Sequence, residues 1–224
     1  MKIVAFSDNH GFLGDELVVP CDVLLIAGDF VPLNIQRAHD KCWKWMRNEF
    51  LPFLDRYPCK QVYFIGGNHD FFLDSEKALS KLRKKIEEAN LQKKVFYLLD
   101  SGIEYEGKWF YGTPYMGMIN WAFYSDHCGD HYRAIPDCDV LLTHCPINGP
   151  VGTSYWGEQN PWSNDWGSHE LFECLKGRKI QWHICGHVHQ GDHSCPEYSG
   201  TKVANVSVLG EDYKFRYLPL EFEI

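Results

Sequence analysis

Five short apolar runs punctuate the chain, at residues 3–6, 23–27, 62–65, 140–142 and 182–185. Each is too short for a helix, and each is apolar at nearly every position instead of alternating. That is the signature of a strand covered on both faces. A helical period appears between the second and third runs, where Ile35, Ala38, Cys42, Trp45, Met46 and Phe53 share one face. A second helix is predicted after the third run, capped by Asp74 or Ser75. Its inner stripe is Ala78, Leu79, Leu82, Ile86 and Ala89, and Lys81, Arg83, Lys84 and Lys85 form a solvated face. A third covers residues 168–175. Residues 103–106 and 108–111 flank a Glu106-Gly107 turn and read as a hairpin. Residues 202–208 and 213–224 alternate around Gly210-Glu211-Asp212 and also read as antiparallel. Strands alternating with helices make this an α/β chain. The mixture predicts two packed mixed sheets with helices outside, in one domain over residues 1–224.

Composition narrows the function. The 224 residues are 45% hydrophobic and 23% charged, which is ordinary for a folded chain. The net charge of −8 disfavours unaided binding to duplex nucleic acid, which needs a basic footprint. No apolar run approaches the ~20 residues that span a bilayer, and the first eight residues do not form a secretory leader, so no membrane association is expected. Nine cysteines without a Cys-x-x-Cys pair fit reduced thiols in the cytoplasm. Cys145 reads as packed and not nucleophilic.

The chemistry lies just beyond each apolar run. After the first come Asp8-Asn9-His10, and after the second Gly28-Asp29. After the third come Gly66-Gly67-Asn68-His69-Asp70, after the fourth His144, and after the fifth Gly186-His187-Val188-His189. In open α/β sheets, ligands bind beyond the carboxyl ends of the strands, so these groups would meet in one place. Carboxylate, amide and imidazole donors without a thiolate suit Mn²⁺, Fe²⁺ or Zn²⁺ in high coordination. Asp8, His10, Asp29, Asn68, His144, His187 and His189 exceed what one metal with open positions needs. They suit two divalent ions sharing a carboxylate.

This ordered motif set resembles the calcineurin-like metallophosphoesterases. The segments 26–30, 112–114, 121–123 and 141–146 resemble the small metallophosphoesterase domain-containing subfamily, linked to phosphodiesters including cyclic nucleotides. Asp70 and Cys145 stand where that subfamily's pattern has Glu and Gly; neither is a ligand position. The resemblance implies a four-layer αββα sandwich. It implies one metal on Asp8, His10, Asp29 and His189 and another on Asp29, Asn68, His144 and His187. Manganese is the first expectation for the metals, with iron or zinc as alternatives. A metal-bridging hydroxide would attack a phosphate ester, most readily a phosphodiester on a small phosphorylated substrate, nucleotides included. The alternatives are a monoesterase or nuclease of the same superfamily, or a scaffold without catalysis. His69 resembles a histidine that contacts phosphate or protonates the leaving oxygen, and Asp70 is expected to orient it. Two long aromatic loops, 115–134 and 148–167, read either as a substrate rim or as staples. Trp121, Arg133, Tyr155 and Trp156 are the candidate substrate contacts there. His127, Cys128 and His131 read as ordinary polar loop residues.

Overall fold

Uninterrupted apolar strands require cover on both faces, and the architecture supplies it. The computed structural model describes residues 1–154 and 165–224. Strands β1 (Lys2–Phe6), β2 (Val23–Ala27), β3 (Gln61–Ile65) and β4 (Lys94–Tyr97) run parallel in one sheet. The second sheet contains β5 (Ser101–Tyr105), β6 (Lys108–Thr113), β7 (Cys138–Thr143), β8 (Ile180–Cys185), β9 (Glu197–Tyr198) and β10 (Thr201–Asn205). Its order is β5-β6-β7-β8-β10-β9, with β6, β7, β8 and β10 parallel. The last strand, β11 (Leu220–Glu223), returns to the first sheet and pairs antiparallel with β1.

Alternate residues of the same strands feed different cores. Ile3, Ala5, Val23, Leu25 and Ala27 pack against Phe110, Val140, Leu142 and Ile184 between the sheets. Val4, Phe6, Leu24 and Ile26 point the other way, with Phe30, Phe50, Phe53 and Phe64. Helices α1 (His39–Trp45), α2 (Leu51–Arg56) and α3 (Glu76–Ala89) flank that sheet. On the far side, Leu141, Cys185 and Val203 are covered by Tyr132 of α4 (Cys128–Arg133) and Leu171 of α5 (His169–Leu175). The result is the expected αββα layering. No described helix is long and apolar enough to cross a membrane.

Local chemistry explains the boundaries. One π-helical turn, Met46–Phe50, joins α1 to α2 immediately before Pro52, whose missing N–H a regular helix would require. Ser75 caps α3 by accepting from the Ala78 N–H at 3.1 Å, and Asn90 ends it at φ 47°. The buried stripe of α3 is shorter than predicted: Ala78 and Leu82 are buried, whereas Ala89 is exposed. The 106–107 hairpin forms, with both turn residues at positive φ (51° and 75°).

The C-terminal hairpin does not form as predicted. Residues 201–205 lie parallel to β8 in the second sheet, while β11 joins the first. Only the Leu209–Phe215 bridge is antiparallel between the two segments. Alternation marked them as strands, but the chain crosses between sheets there, and alternation does not record which sheet a strand joins.

Candidate metal centre

The ends of β1, β2, β3, β7 and β8 meet at one edge of the two sheets. The backbone turns abruptly there: Asp8 (φ 53°), His10 (φ 38°), Asp29 (φ 54°) and His187 (φ 70°) all adopt left-handed conformations. Such conformations are uncommon outside glycine and persist where the surroundings enforce them. Here Asp8 N–H donates to the Gly28 carbonyl and His10 N–H to the Asp29 carbonyl, both at 3.0 Å. Gly186 cannot be replaced without displacement, because a Cβ on it would lie 2.2 Å from Asp8 Oδ2.

Hydrogen bonds then fix which atoms face inward. Asp8 Oδ2 accepts from Ser7 Oγ (2.5 Å), Ser207 Oγ (2.8 Å) and the His187 N–H (2.9 Å). Its Oδ1 is buried without a partner and lies 3.6 Å from His189 Nε2. His189 Nδ1 donates to the Gly210 carbonyl at 3.0 Å, so Nε2 presents a lone pair when the ring is neutral. That nitrogen lies 3.4 Å from His10 Nε2. On the other side, His144 Nδ1 donates to the Ala27 carbonyl at 2.8 Å. His144 Nε2 faces Asn68 Oδ1 at 2.9 Å and Asp29 Oδ2 at 3.3 Å. His187 Nδ1 also lies 2.9 Å from Asn68 Oδ1.

With Nδ1 of His144 committed to Ala27, a neutral Nε2 faces the acceptors Asn68 Oδ1 and Asp29 Oδ2, an arrangement that a proton or a metal cation bridges. Burial opposes a charge on His144, yet Asp29 and Asp8 outweigh it and hold the imidazole up at about 10. Burial wins at His10 and His187, pushing both down to about 4. Asp29 stays well below the usual carboxylate range: burial opposes its charge, but the neighbouring histidines, His144 foremost, prevail. Asp8, Asp29 and His144 can bring one ligand atom each within 4.8 Å of one another, as can Asp8, His10 and His189. The orphaned Asp8 oxygen and the converging neutral nitrogens fit divalent cations. All seven residues expected as ligands are brought together.

His69 also reaches the site. Its N–H donates to Asp29 Oδ1 at 2.7 Å, and its Nε2 lies 3.8 Å from Asp29 Oδ2. Its orienting partner is not Asp70 but Gln36, whose Oε1 lies 2.5 Å from His69 Nδ1. Asp70 is a backbone anchor. It accepts from Asp29 N–H (2.8 Å), Gly67 N–H (2.8 Å) and Val31 N–H (3.1 Å), all buried, whereas the His69 ring is held by Gln36. Burial and Asp29 push Asp70 up to about 8, while the N–H donors pull the other way.

A cleft of about 410 Å³ opens over these groups. Asp29, Asn68, His69, His187 and His189 form its floor, and Met118, Trp121, Ser154, Trp166, Glu211 and Tyr213 contribute walls. Trp121 lies against His69, with ring centroids 4.7 Å apart. Phe123 and Ala122 staple loop 115–134 to the domain: both are buried, and the Ala122 N–H donates to the Asn68 carbonyl at 3.1 Å. Arg133 does not reach the cleft. It sits at the exposed end of α4, 2.5 Å from Asp130 and 3.9 Å from Glu170, because the loop folds into a helix that faces away. Tyr155 and Trp156 lie outside the described residues. His131 pairs with Asp100 at 2.6 Å. Gln36, Glu211 and Tyr213 were missed by sequence reading, since none lies beside a strand-end motif.

The ordered donors and the layering agree with a family comparison, in which the calcineurin-like phosphoesterase model matches residues 1–191. The chain belongs to the calcineurin-like phosphoesterase family. It is a metal-dependent phosphoesterase. It is 26% identical to the UPF0046 protein K07C11.7 of Caenorhabditis elegans, covering all of this chain and 75% of that one. It is 28% identical to metallophosphoesterase domain-containing protein 1 of Homo sapiens, covering 95% of this chain and 68% of that one. Among solved structures, the phosphopantetheinyl hydrolase of Mycobacterium tuberculosis shares the fold with a TM-score of 0.59 at 15% identity, covering 95% of this chain and 90% of that one. TT1561 of Thermus thermophilus does so at 0.55 and 12% identity, covering 91% and 88%.

Proposed function

We propose that this calcineurin-like phosphoesterase hydrolyses a small phosphodiester, cyclic nucleotides included, at a centre holding two divalent metals. The observation that carries the reading is the position of Asp29. Its Oδ2 lies 3.3 Å from His144 Nε2 on one side and 4.0 Å from His10 Nε2 on the other. One donor set is then Asp8, His10, Asp29 and His189, and the second is Asp29, Asn68, His144 and His187. A shared carboxylate is the economical way to hold two cations close together, and Asp29 Oδ2 faces both donor sets while Oδ1 is held by the His69 N–H. Two such ions, manganese first among those the donors suit, supply Lewis-acid clamping of the phosphate oxygens and an acidified water.

The chain's own residues supply the rest. Gln36 Oε1 accepts from His69 Nδ1–H and holds the ring, leaving Nε2 turned toward the floor, where the imidazolium form can give its Nε2 proton to the leaving oxygen. Trp121 and Trp166 offer flat apolar walls for an aromatic leaving group. We take residues 1–224 to act as one domain, which is supported by the pairing of β11 with β1 and by the Met1 ammonium donating to the Ile224 carbonyl. Nine free thiols, five of them buried, support a cytoplasmic location.

The test is turnover of bis-p-nitrophenyl phosphate against p-nitrophenyl phosphate by the Mn²⁺-loaded protein. The reading expects the diester to be the better substrate. Preferential turnover of the monoester points to a phosphomonoesterase, and turnover of neither by folded, metal-loaded protein points to a scaffold.

A further inference from the structure

We propose that Glu211, carried on a rigid turn over the metal centre, selects substrates by charge, admitting monoanionic phosphodiesters and discouraging dianionic monoesters. The proposal rests on the phosphoesterase reading above and adds a residue outside the segment matched by the family model, which ends at 191.

The turn is built into the site. The Gly210 carbonyl accepts from His189 Nδ1 at 3.0 Å and from the Tyr213 N–H at 2.8 Å. The Gly210 N–H in turn donates to the Lys214 carbonyl at 2.9 Å. Tyr213, at φ 56°, sets its ring edge-on to His10 and His189, with centroids 5.2 and 5.1 Å away. The backbone at Glu211 is therefore tied to His189 by the same short segment, and Glu211 lines the cleft together with Tyr213.

Among the described residues, Glu211 is the one charged group that lines the cleft above the metal floor. No Lys or Arg lines the cleft among the described residues. Lys214, Arg216 and Arg37 do not line the cleft. Lys214 and Arg216 pair with Asp212 at 3.6 and 4.0 Å. Arg37 covers the Phe71 ring at 4.0 Å and donates to the Asn120 carbonyl at 3.4 Å. Among the described residues, a substrate thus meets a cleft with one carboxylate and no side-chain cation beyond the metal floor. The energy of a substrate in the field of Glu211 scales with substrate charge, so a dianion is disfavoured twice as strongly as a monoanion. Across a partly hydrated cleft this is worth roughly fourfold in kcat/KM per unit of substrate charge.

The experiment compares wild type with Glu211→Gln and Glu211→Lys in the Mn²⁺-loaded full chain. Bis-p-nitrophenyl phosphate serves as the monoanion and p-nitrophenyl phosphate as the dianion. Calorimetric binding of inorganic phosphate against dimethyl phosphate at pH 8 provides a readout free of turnover. The monoester-to-diester ratio of kcat/KM should rise about fourfold in Glu211→Gln and about sixteenfold in Glu211→Lys. The phosphate-to-dimethyl-phosphate affinity ratio should follow, and Glu211→Asp should restore the wild-type ratios. Ratios unchanged within about twofold in both variants overturn the proposal. If wild type turns over neither ester, the phosphoesterase reading falls, and the calorimetric ratios still decide the role of Glu211.

Discussion

Asp70 offers a sharp separation between anchoring and catalysis. Its Oδ2 accepts from the Asp29 and Gly67 N–H groups, and its Oδ1 accepts from Val31 N–H. In Asp70→Asn the amide oxygen can keep the two-donor position, and the NH₂ group is then forced against Val31 N–H. One buried donor is lost, at about 1–3 kcal/mol. For a chain of this size each kcal/mol moves Tm by about 2–4 °C, so the Asn variant should melt about 2–12 °C lower. Asp70→Ala abandons all three donors, about 3–9 kcal/mol, which approaches the whole stability of a typical domain. Because Asp29 N–H is one of the donors, both variants should also lose metal affinity. The assay is thermal unfolding together with metal content after dialysis. If Asp70→Asn keeps its Tm and its metal but loses turnover, Asp70 acts on His69 and the anchoring account is wrong.

The same geometry sets further expectations. Metal must displace the proton that Asp29 and Asp8 hold on His144 at about 10, whereas His10 and His187, near 4, are already neutral. Metal binding near pH 7.5 should therefore release about one proton per chain, read by calorimetry in buffers of different ionisation enthalpy. Equal heats in all buffers would refute this. In the metal-free protein the raised His144 stabilises fully below about pH 6.5, and that contribution is lost as pH rises through about 10, so Tm should fall across that window. His69→Ala should lower turnover with metal content intact, most for poor leaving groups, and Gln36→Leu should reproduce part of that loss; loss of metal in His69→Ala would show that His69 is a ligand. Phe123→Ala should cost about 3–5 kcal/mol, seen in Tm, whereas Trp121→Ala should raise KM for aromatic esters with little change in Tm.

The metal donors were legible because two independent signals coincide. Strands buried on both faces produce continuous apolar runs, as at Val23–Ala27, and the residue types just beyond them are ones an ordinary surface loop has no reason to collect. What failed to show is instructive. Asp70 sits next to His69 in sequence, but the short turn after Asn68 aims its carboxylate at backbone N–H groups across the site. Gln36 lies in the irregular segment before α1, where no periodicity singles it out. The strand β4 starts at an exposed lysine and is only partly buried, so its pattern is mixed. Glu211 and Tyr213 occupy the crossing from one sheet to the other, a tertiary event that local alternation misreads as a hairpin.

A carboxylate shared between two metals is open to test by counting metal against activity. Wild type reconstituted with Mn²⁺ should carry two ions per chain. Excess chelator should abolish turnover of bis-p-nitrophenyl phosphate, and Mn²⁺ should restore it. Asp29→Ala should lose both ions and all turnover while staying folded, because His10 and His144 each lose the same partner. Undiminished activity in wild type stripped of metal, or one ion retained at full affinity in Asp29→Ala, would contradict the account.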